Sequence, residues 1–157
     1  MQLMRRYEIS YEIAESYTDK IIYTVLEQLR IVAPDKYEHY FLKEWKEEQN
    51  RNLLSVKKVL DYISAHYREP LSVKELSGLS NYSEFYFMKL FKQYTGKTAA
   101  AYLNDYRLEK AKSLLLHTDA SVTDIALDVG FNNTSYFIKK FQEANQLSPH
   151  KFRKKMS

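Results

Sequence analysis

The 157-residue chain contains no cysteine and only three glycines and three prolines. Without cysteine, disulfides and thiolate metal sites are excluded. So few turn-forming residues argue against β-sandwiches and barrels, which need many turns. No apolar run approaches the roughly 18 residues of a membrane-spanning helix, and the opening "MQLMRRYEIS" lacks the apolar core of a signal peptide. We therefore expect a cytoplasmic protein with no membrane partner.

The residues that are present favour helices. Hydrophobic residues make up 45% and charged residues 28% of the chain, which is typical of a globular protein. The formal charge is uneven: residues 1–55 hold 8 Lys/Arg against 10 Asp/Glu, whereas residues 56–157 hold 16 against 10. This excess of six positive charges in the second part indicates a polyanionic partner.

The first 55 residues predict a helical N-terminal segment. In "TDKIIYTVLEQLR" the apolar residues follow the i, i+3, i+4, i+7 spacing of a helix, namely Ile22, Val25, Leu26 and Leu29. A second helix restarts at Pro34. The opening "RRYEISYEIAESY" alternates like a strand but also fits a helix, which we favour. The apolar row either pairs with a second copy of the chain or packs on the chain's own "YEHYFLKEW" helix.

From Val56 the pattern becomes sharper. A helix containing "SVKKVLDYISAHY" ends before Pro70, because proline disfavours a helical residue before it. Ser72, with Glu75 three residues later, predicts a capping box for a short helix that ends near Ser80.

A tight turn and a second helix follow that short helix. Asn81 lies where the turn needs a residue that tolerates the left-handed conformation. Ser83 then caps a second helix, which ends near Gly96.

A longer helix from about Thr98 to Leu116 connects this pair to a second pair. Ser121, with Asp124 closing the box, caps a short helix in "ASVTDIALDVGF". Residues 132–134 form a turn and cap, "TSYFIKKFQEANQ" is the next helix, and Pro149 opens a last basic helix.

The two pairs are copies of one pattern. Equivalent residues lie 49 positions apart in the first helix of each pair and 50 positions apart in the second helix. The second copy therefore has one extra residue in its turn. The aromatic and aliphatic residues of the two copies predict the core: Leu76, Phe87, Leu90, Phe91, Ile125, Phe137 and Phe141. Each copy is a short helix, a turn and a lysine-bearing helix, which is the layout of a helix-turn-helix.

The connecting helix gives a test of geometry. At 1.5 Å per residue it is about 28 Å long, close to the roughly 34 Å of one turn of B-DNA. The sequence therefore predicts two recognition helices, at about 83–95 and 134–145, that enter successive major-groove segments of double-stranded DNA.

These residues also carry a family resemblance. Residues 56–156 resemble the DNA-binding domain of AraC/XylS-type bacterial transcription regulators, most specifically in "SVTDIALDVGFNNTSYFIKKFQEANQLSPHKFRK". The resemblance implies an all-α fold with two helix-turn-helix subdomains (residues 56–157) joined by a linker helix and preceded by a small helical module (residues 1–55). That module would be a dimerisation segment or the remnant of a sensor domain, with Met1 either a truncation point or the start of a compact regulator.

The resemblance further implies a sequence-specific activator of transcription that contacts DNA and RNA polymerase, with a homodimer through the N-terminal helices as a further expectation. The expected DNA-contacting residues are Phe85, Met88, Lys89, Lys92, Asn133, Thr134, Ser135, Lys139, Lys140 and Gln142. The chain departs from the family where Ser80 replaces an apolar residue and where Asn81 and Gln146 replace common glycines. Lys89 and Lys139 stand where arginine is frequent.

Two other classes of function remain as alternatives. An enzyme or ligand-binding protein is disfavoured, because the four histidines have no metal-ligand spacing and no glycine-rich loop or Ser/His/Asp arrangement occurs. We therefore expect no catalytic, cofactor or metal site. The other alternative is an interaction module of the same fold that binds DNA weakly or without specificity.

Overall fold

The computed structural model describes residues 43–156 together with residues 28, 31 and 33. Seven helices have defined bounds in this described part. They are α1 (Lys43–His66), α2 (Val73–Ser80), α3 (Glu84–Thr95), α4 (Ala99–His117), α5 (Val122–Asp128), α6 (Thr134–Asn145) and α7 (Pro149–Met156). For the described residues, the predicted all-α fold, with two helix-turn-helix pairs (α2–α3 and α5–α6) and a linker helix (α4), is confirmed.

The predictions for the N-terminal segment fall almost wholly on other residues. The apolar row Ile22, Val25, Leu26 and Leu29 and the strand-or-helix alternative at the opening lie outside the described residues. The chain divides into two compact units, Met1–Asn50 and Arg51–Ser157. Helix α1 runs without a break through residues 55 and 56, so a domain boundary at that point stays a prediction.

The first subdomain is built on a core from four helices. The predicted core residues Leu76, Phe87, Leu90 and Phe91 are all buried in it. Helix α1 adds Val56, Val59 and Ile63, and the start of α4 adds Ala99 and Leu103. Burying these apolar side chains supplies the main stabilising free energy of the subdomain. Only one face of α3 packs in this core, and the opposite face is exposed.

The second subdomain repeats this arrangement with its own core. Ile125, Phe137 and Phe141 are fully buried, as predicted, and the turn residue Phe131 is 3% exposed. The aromatic rings form a chain in which Phe141 lies between Phe137 and Phe152, with ring centroids 5.7 and 5.4 Å away. These tilted and edge contacts, the arrangements that aromatic rings prefer, pack α6 and α7 on the second core.

The linker helix α4 contributes to both cores. Ala99 and Leu103 pack in the first core, and Leu108, Ala111 and Leu115 pack in the second. The step of five residues from Leu103 to Leu108 turns the buried face by about 140°, since an α-helix rotates 100° per residue. One continuous helix therefore presents different faces to the two subdomains.

The helix starts are capped largely as predicted. The Ser72 hydroxyl accepts from the Glu75 amide at 3.1 Å, and the Ser83 hydroxyl accepts from the Tyr86 amide at 3.3 Å. The expected capping box at Ser72 is incomplete, however. The Glu75 carboxylate instead accepts a hydrogen bond from the Tyr62 hydroxyl at 3.1 Å, because α1 packs beside α2 and offers a partner that local spacing does not reveal.

The two turns use related backbone conformations. Asn81 adopts the left-handed region at φ 59°, as predicted, and its neighbour Tyr82 donates its hydroxyl to Asn52 of α1 at 2.7 Å. In the second turn Gly130 has φ 93°. Its amide donates to Leu127 and the amide of Phe131 donates to Ala126, the paired bonds of a Schellman motif.

The ends of the two recognition helices are also equivalent. Gly96 ends α3 at φ 74°, and Gln146 ends α6 at φ 59°. Gln146 thus occupies a glycine-type position, where a side chain costs roughly 1–2 kcal/mol.

In the first pair Ser80 is 5% exposed, and its hydroxyl donates to the Ser77 carbonyl at 2.7 Å. That bond explains how a polar residue is accommodated where the family usually has an apolar one.

Within the described part of the chain, none of the helices combines the length and apolar character needed to cross a membrane.

Candidate nucleic-acid interface

Helix α3 presents the predicted contact residues on its solvent side. Phe85 is 41% and Met88 46% exposed, while Phe87, Leu90 and Phe91 of the same helix are buried. Lys89 and Lys92 lie on the exposed side as well. Helix α3 therefore places partly exposed apolar side chains beside lysines on one face.

Helix α6 presents a second surface of this kind. Three predicted contact residues, Ser135, Lys139 and Gln142, line one shallow groove together with Ile138, Glu143 and Gln146. The ring faces of Phe137 and Phe141 point the opposite way, into the core. The structure therefore brings these three predicted residues together on one helix face.

The predicted residues at the start of α6 have partly structural roles. Asn133 is the N-cap, and its side-chain oxygen accepts from the Tyr136 amide at 2.8 Å. Only the Asn133 side-chain NH₂ is left to donate to a ligand. Thr134 is half-buried and is the first residue of the helix. Both residues lie at a helix N-terminus, where the helix dipole favours an anion such as phosphate.

Lys140 differs from the other predicted lysines because its charge is paired within the helix. Its ammonium donates to Glu143 at 2.8 Å and lies 5.8 Å from the centroid of the Tyr136 ring. The hydrogen bond and charge of Glu143 raise the pKa of Lys140, and the same bond to Lys140 lowers the pKa of Glu143. Lys140 is thus a weaker candidate for a phosphate contact than Lys139.

Two residues of this surface were missed by the sequence reasoning. Tyr136 is 45% exposed, and its hydroxyl accepts from Asn104 of α4 at 3.5 Å. Glu143 places a carboxylate beside the lysines of α6. The i, i+3 spacing of Lys140 and Glu143 was a signal that could have revealed the pair, but the contact of Tyr136 with α4 depends on tertiary packing.

Two of the histidines that the structure describes, His66 and His117, have structural surroundings. His66 stacks on Tyr62, with ring centroids 4.3 Å apart, and its Nδ1 lies 2.9 Å from a Glu69 carboxylate oxygen. His117 Nδ1 lies 2.7 Å from the Ser113 carbonyl oxygen. Across residues 43–156 and the three other described positions, no group of three or more His, Asp or Glu side chains is placed to hold a metal ion.

Two lysine-bearing helices, each the second member of a helix-turn-helix pair and both attached to one linker helix, define a double helix-turn-helix DNA-binding domain. Known proteins agree with this class. The helix-turn-helix domain family matches residues 76–155. The chain belongs to the AraC-type family of helix-turn-helix transcription regulators.

Three similar proteins illustrate the match. The regulatory protein PocR of Salmonella typhimurium is 38% identical over 102 residues, which are 65% of this chain and 34% of PocR. The uncharacterised helix-turn-helix-type transcriptional regulator YdeC of Bacillus subtilis is 36% identical over 99 residues, or 63% of this chain and 34% of YdeC. The crystal structure of the DNA-binding domain of AdpA, a global transcriptional factor in complex with a target DNA, has a TM-score of 0.62 at 25% identity. That match covers 64% of this chain and 90% of the AdpA domain.

The matched part of this chain thus spans about a third of the length of these curated relatives.

Proposed function

We propose that this chain regulates transcription by placing α3 and α6 in successive major-groove segments of a DNA operator. The observation that carries the proposal is the repetition of one exposed face on two equivalent helices that share the linker helix α4. The AdpA domain, similar in fold and in complex with a target DNA, supports the same use of this architecture.

The side chains suggest different roles for the two recognition helices. Phe85 and Met88 on α3 have no group that reads a base edge by hydrogen bonding, so they contact thymine methyl groups or sugars. Ser135 and Gln142 on α6 donate and accept hydrogen bonds, and a glutamine can bind adenine through two of them. We therefore propose that α6 contributes more of the hydrogen-bonded base recognition and α3 more of the apolar contact.

The lysines affect how strongly the protein discriminates its operator from other DNA sequences. Lys89 and Lys139 stand where arginine is frequent in the family, and lysine lacks the planar fork that binds guanine through two hydrogen bonds. Lys92 lies nearer the DNA backbone, as does the N-terminus of α6 with Asn133 and Thr134. Affinity then relies more on phosphate contacts and on DNA shape than on base discrimination.

The proposals for the whole protein follow from the family. We propose that residues 56–157 act as the DNA-binding domain, and that residues 1–55 serve either to pair two copies of the chain or as the remnant of a sensor domain. As an activator in the bacterial cytoplasm, the protein contacts RNA polymerase while bound to its operator.

The dependence of binding on salt tests the proposal. Binding to a duplex of arbitrary sequence is expected to weaken with salt, with a slope of log K against log salt near −0.9 for each phosphate that a cation neutralises. Lys92→Ala should make this slope less negative by about 1, because it removes one such cation. Fluorescence anisotropy of a labelled duplex at several salt concentrations gives the slope.

A matched lysine serves as the control. Lys57→Ala removes the same charge from the exposed side of α1, outside both recognition helices, and should leave the slope unchanged. Binding that is absent, or that does not respond to salt, would favour the interaction module with no DNA partner. Equal changes of slope in the two variants would show a diffuse charge effect and no contact by α3.

A further inference from the structure

The two subdomains meet at a small junction centred on Gly130. A Cβ atom at Gly130 would lie only 2.8 Å from the carbonyl oxygens of Tyr67 and Arg68. The turn of the second helix-turn-helix therefore touches the segment that joins α1 to α2 in the first. Tyr67 packs against both hydrophobic cores, so the junction belongs to both subdomains.

Arg107 lies at the same junction, on the linker helix between the residues that enter the two cores. It is 8% exposed. Its Nε donates to the Tyr67 carbonyl at 2.6 Å, and its Nη2 donates to the Glu69 carbonyl at 2.7 Å. The guanidinium carbon lies 5.7 Å from the centroid of the Phe131 ring, which belongs to the second core.

Through these contacts the Arg107 side chain binds groups of both subdomains. Burying a cation is costly unless its donors are satisfied, and here the two carbonyl acceptors come from the first subdomain while the aromatic face comes from the second. A rigid guanidinium fork that bonds two acceptors has one preferred orientation. A shift of one subdomain relative to the other would break hydrogen bonds of the buried Arg107 guanidinium.

We propose that Arg107 is a positioning residue that fixes the relative orientation of α3 and α6 and thereby the operator spacing that the protein accepts. The inference rests on the proposed function, since spacing matters only if both helices enter DNA. Arg107 itself touches no DNA in this account. It acts through the junction formed by Tyr67, Glu69, Gly130 and Phe131.

Arg153 provides a matched control within one subdomain. Its Nε donates to the Leu115 carbonyl at 3.2 Å, and its Nη2 donates to the Ala120 carbonyl at 2.6 Å. The chemistry is that of Arg107, a guanidinium on two main-chain carbonyls. Both acceptors, however, flank the end of α4 and the start of α5 inside the second subdomain, so loss of these two bonds should weaken that subdomain without changing the orientation of the two recognition helices.

The distance between the recognition helices tests the inference without DNA. The chain has no cysteine, so Gln93→Cys and Ala144→Cys place spin labels on exposed positions of α3 and α6 only. Double electron–electron resonance should give one narrow distance distribution for this doubly labelled chain. Adding Arg107→Gln should broaden or shift the distribution, whereas adding Arg153→Gln should leave it unchanged.

A milder variant guards against loss of folding. Arg107→Lys keeps the charge but cannot form both carbonyl bonds in the same geometry, and it should broaden the distribution while the helical circular dichroism signal is retained. A distribution that matches the parent in mean and width in a folded Arg107 variant would overturn the inference.

Operator spacing gives the functional measurement. Duplexes carry the two recognised elements either at their preferred separation or with one or two base pairs inserted between them. The Kd for an inserted duplex divided by the Kd for the preferred duplex measures spacing discrimination. We expect Arg107→Lys to reduce this ratio by about fivefold or more, and Arg153→Lys to leave it unchanged. An unchanged ratio in Arg107→Lys would refute the positioning role. If the parent recognises no operator at all, it is the proposed function that fails, while the distance measurement still decides the role of Arg107.

Discussion

Replacing Gly130 with alanine is expected to lower the free energy of unfolding by at least about 2 kcal/mol, since a positive φ alone costs a non-glycine residue of order 1–3 kcal/mol. The backbone at Gly130 has φ 93°, and the added Cβ would meet two carbonyl oxygens at 2.8 Å. Those oxygens belong to main chain and cannot rotate away, so the junction itself must open. Urea denaturation followed by circular dichroism measures the loss.

Gly78→Ala is the matched control for this substitution. Gly78 lies inside α2, has no neighbour within 4 Å of the position of a Cβ, and lacks a positive φ. Alanine there should stabilise the protein by about 0.5–1 kcal/mol, because glycine is costly inside a helix. A Gly130→Ala variant within about 0.5 kcal/mol of the parent, the usual range of a neutral surface change, would contradict the close approach of the two subdomains.

Replacing Lys139 with alanine is expected to reduce operator affinity by about 1–3 kcal/mol, the typical value of a lysine or arginine that contacts a base edge. Lys139 lies in the groove on α6 with Ser135 and Gln142, where it can reach a guanine edge or a phosphate. Measuring the variant on operator and on arbitrary duplex separates the two. A greater loss on the operator indicates a base contact, and equal losses indicate a phosphate contact.

Lys151→Ala controls for the loss of charge in the same subdomain, because Lys151 is exposed on α7 and is not part of either recognition helix. It should cost much less affinity than Lys139→Ala. If the Lys139 variant binds its operator as the parent does at fixed salt, Lys139 makes no contact with DNA. The α6 face would then lack the main cation on which its assignment to DNA contact depends.

Much of the fold was predictable because its signals are local. Ser72 and Ser83 cap helices through bonds to amides three residues later, and such spacing is visible in the sequence. The repeat paired Phe87 with Phe137, and both are fully buried. The bounds of α6, Thr134–Asn145, agree with the predicted recognition helix at 134–145.

The features that were not predicted depend on partners far away in the chain. Arg107 lies in an ordinary helical stretch, and its acceptors at Tyr67 and Glu69 are 40 and 38 residues earlier. Gly130 could be assigned to a turn, but its approach to the segment after α1 follows only from the packing of the two subdomains. The change of buried face along α4 is equally hidden, because each half of the helix has its own apolar spacing.

The site was predictable as a surface rather than as a set of contacts. The exposed positions of Phe85, Met88, Ser135 and Lys139 follow from helical periodicity once the core is known. The pairing of Lys140 with Glu143 and the capping bond of Asn133 change what those residues have left to offer a ligand. Which of them touch DNA stays a prediction.

Selection of bound sequences from a random duplex pool tests the central claim most directly. Two recognition helices on one linker helix predict an operator with two short elements whose centres lie about one helical turn, 10–10.5 base pairs, apart. Recovery of two such elements at a fixed separation is the expected result. Recovery of a single element, or of no preferred sequence, would contradict the account of two recognition helices in successive major-groove segments.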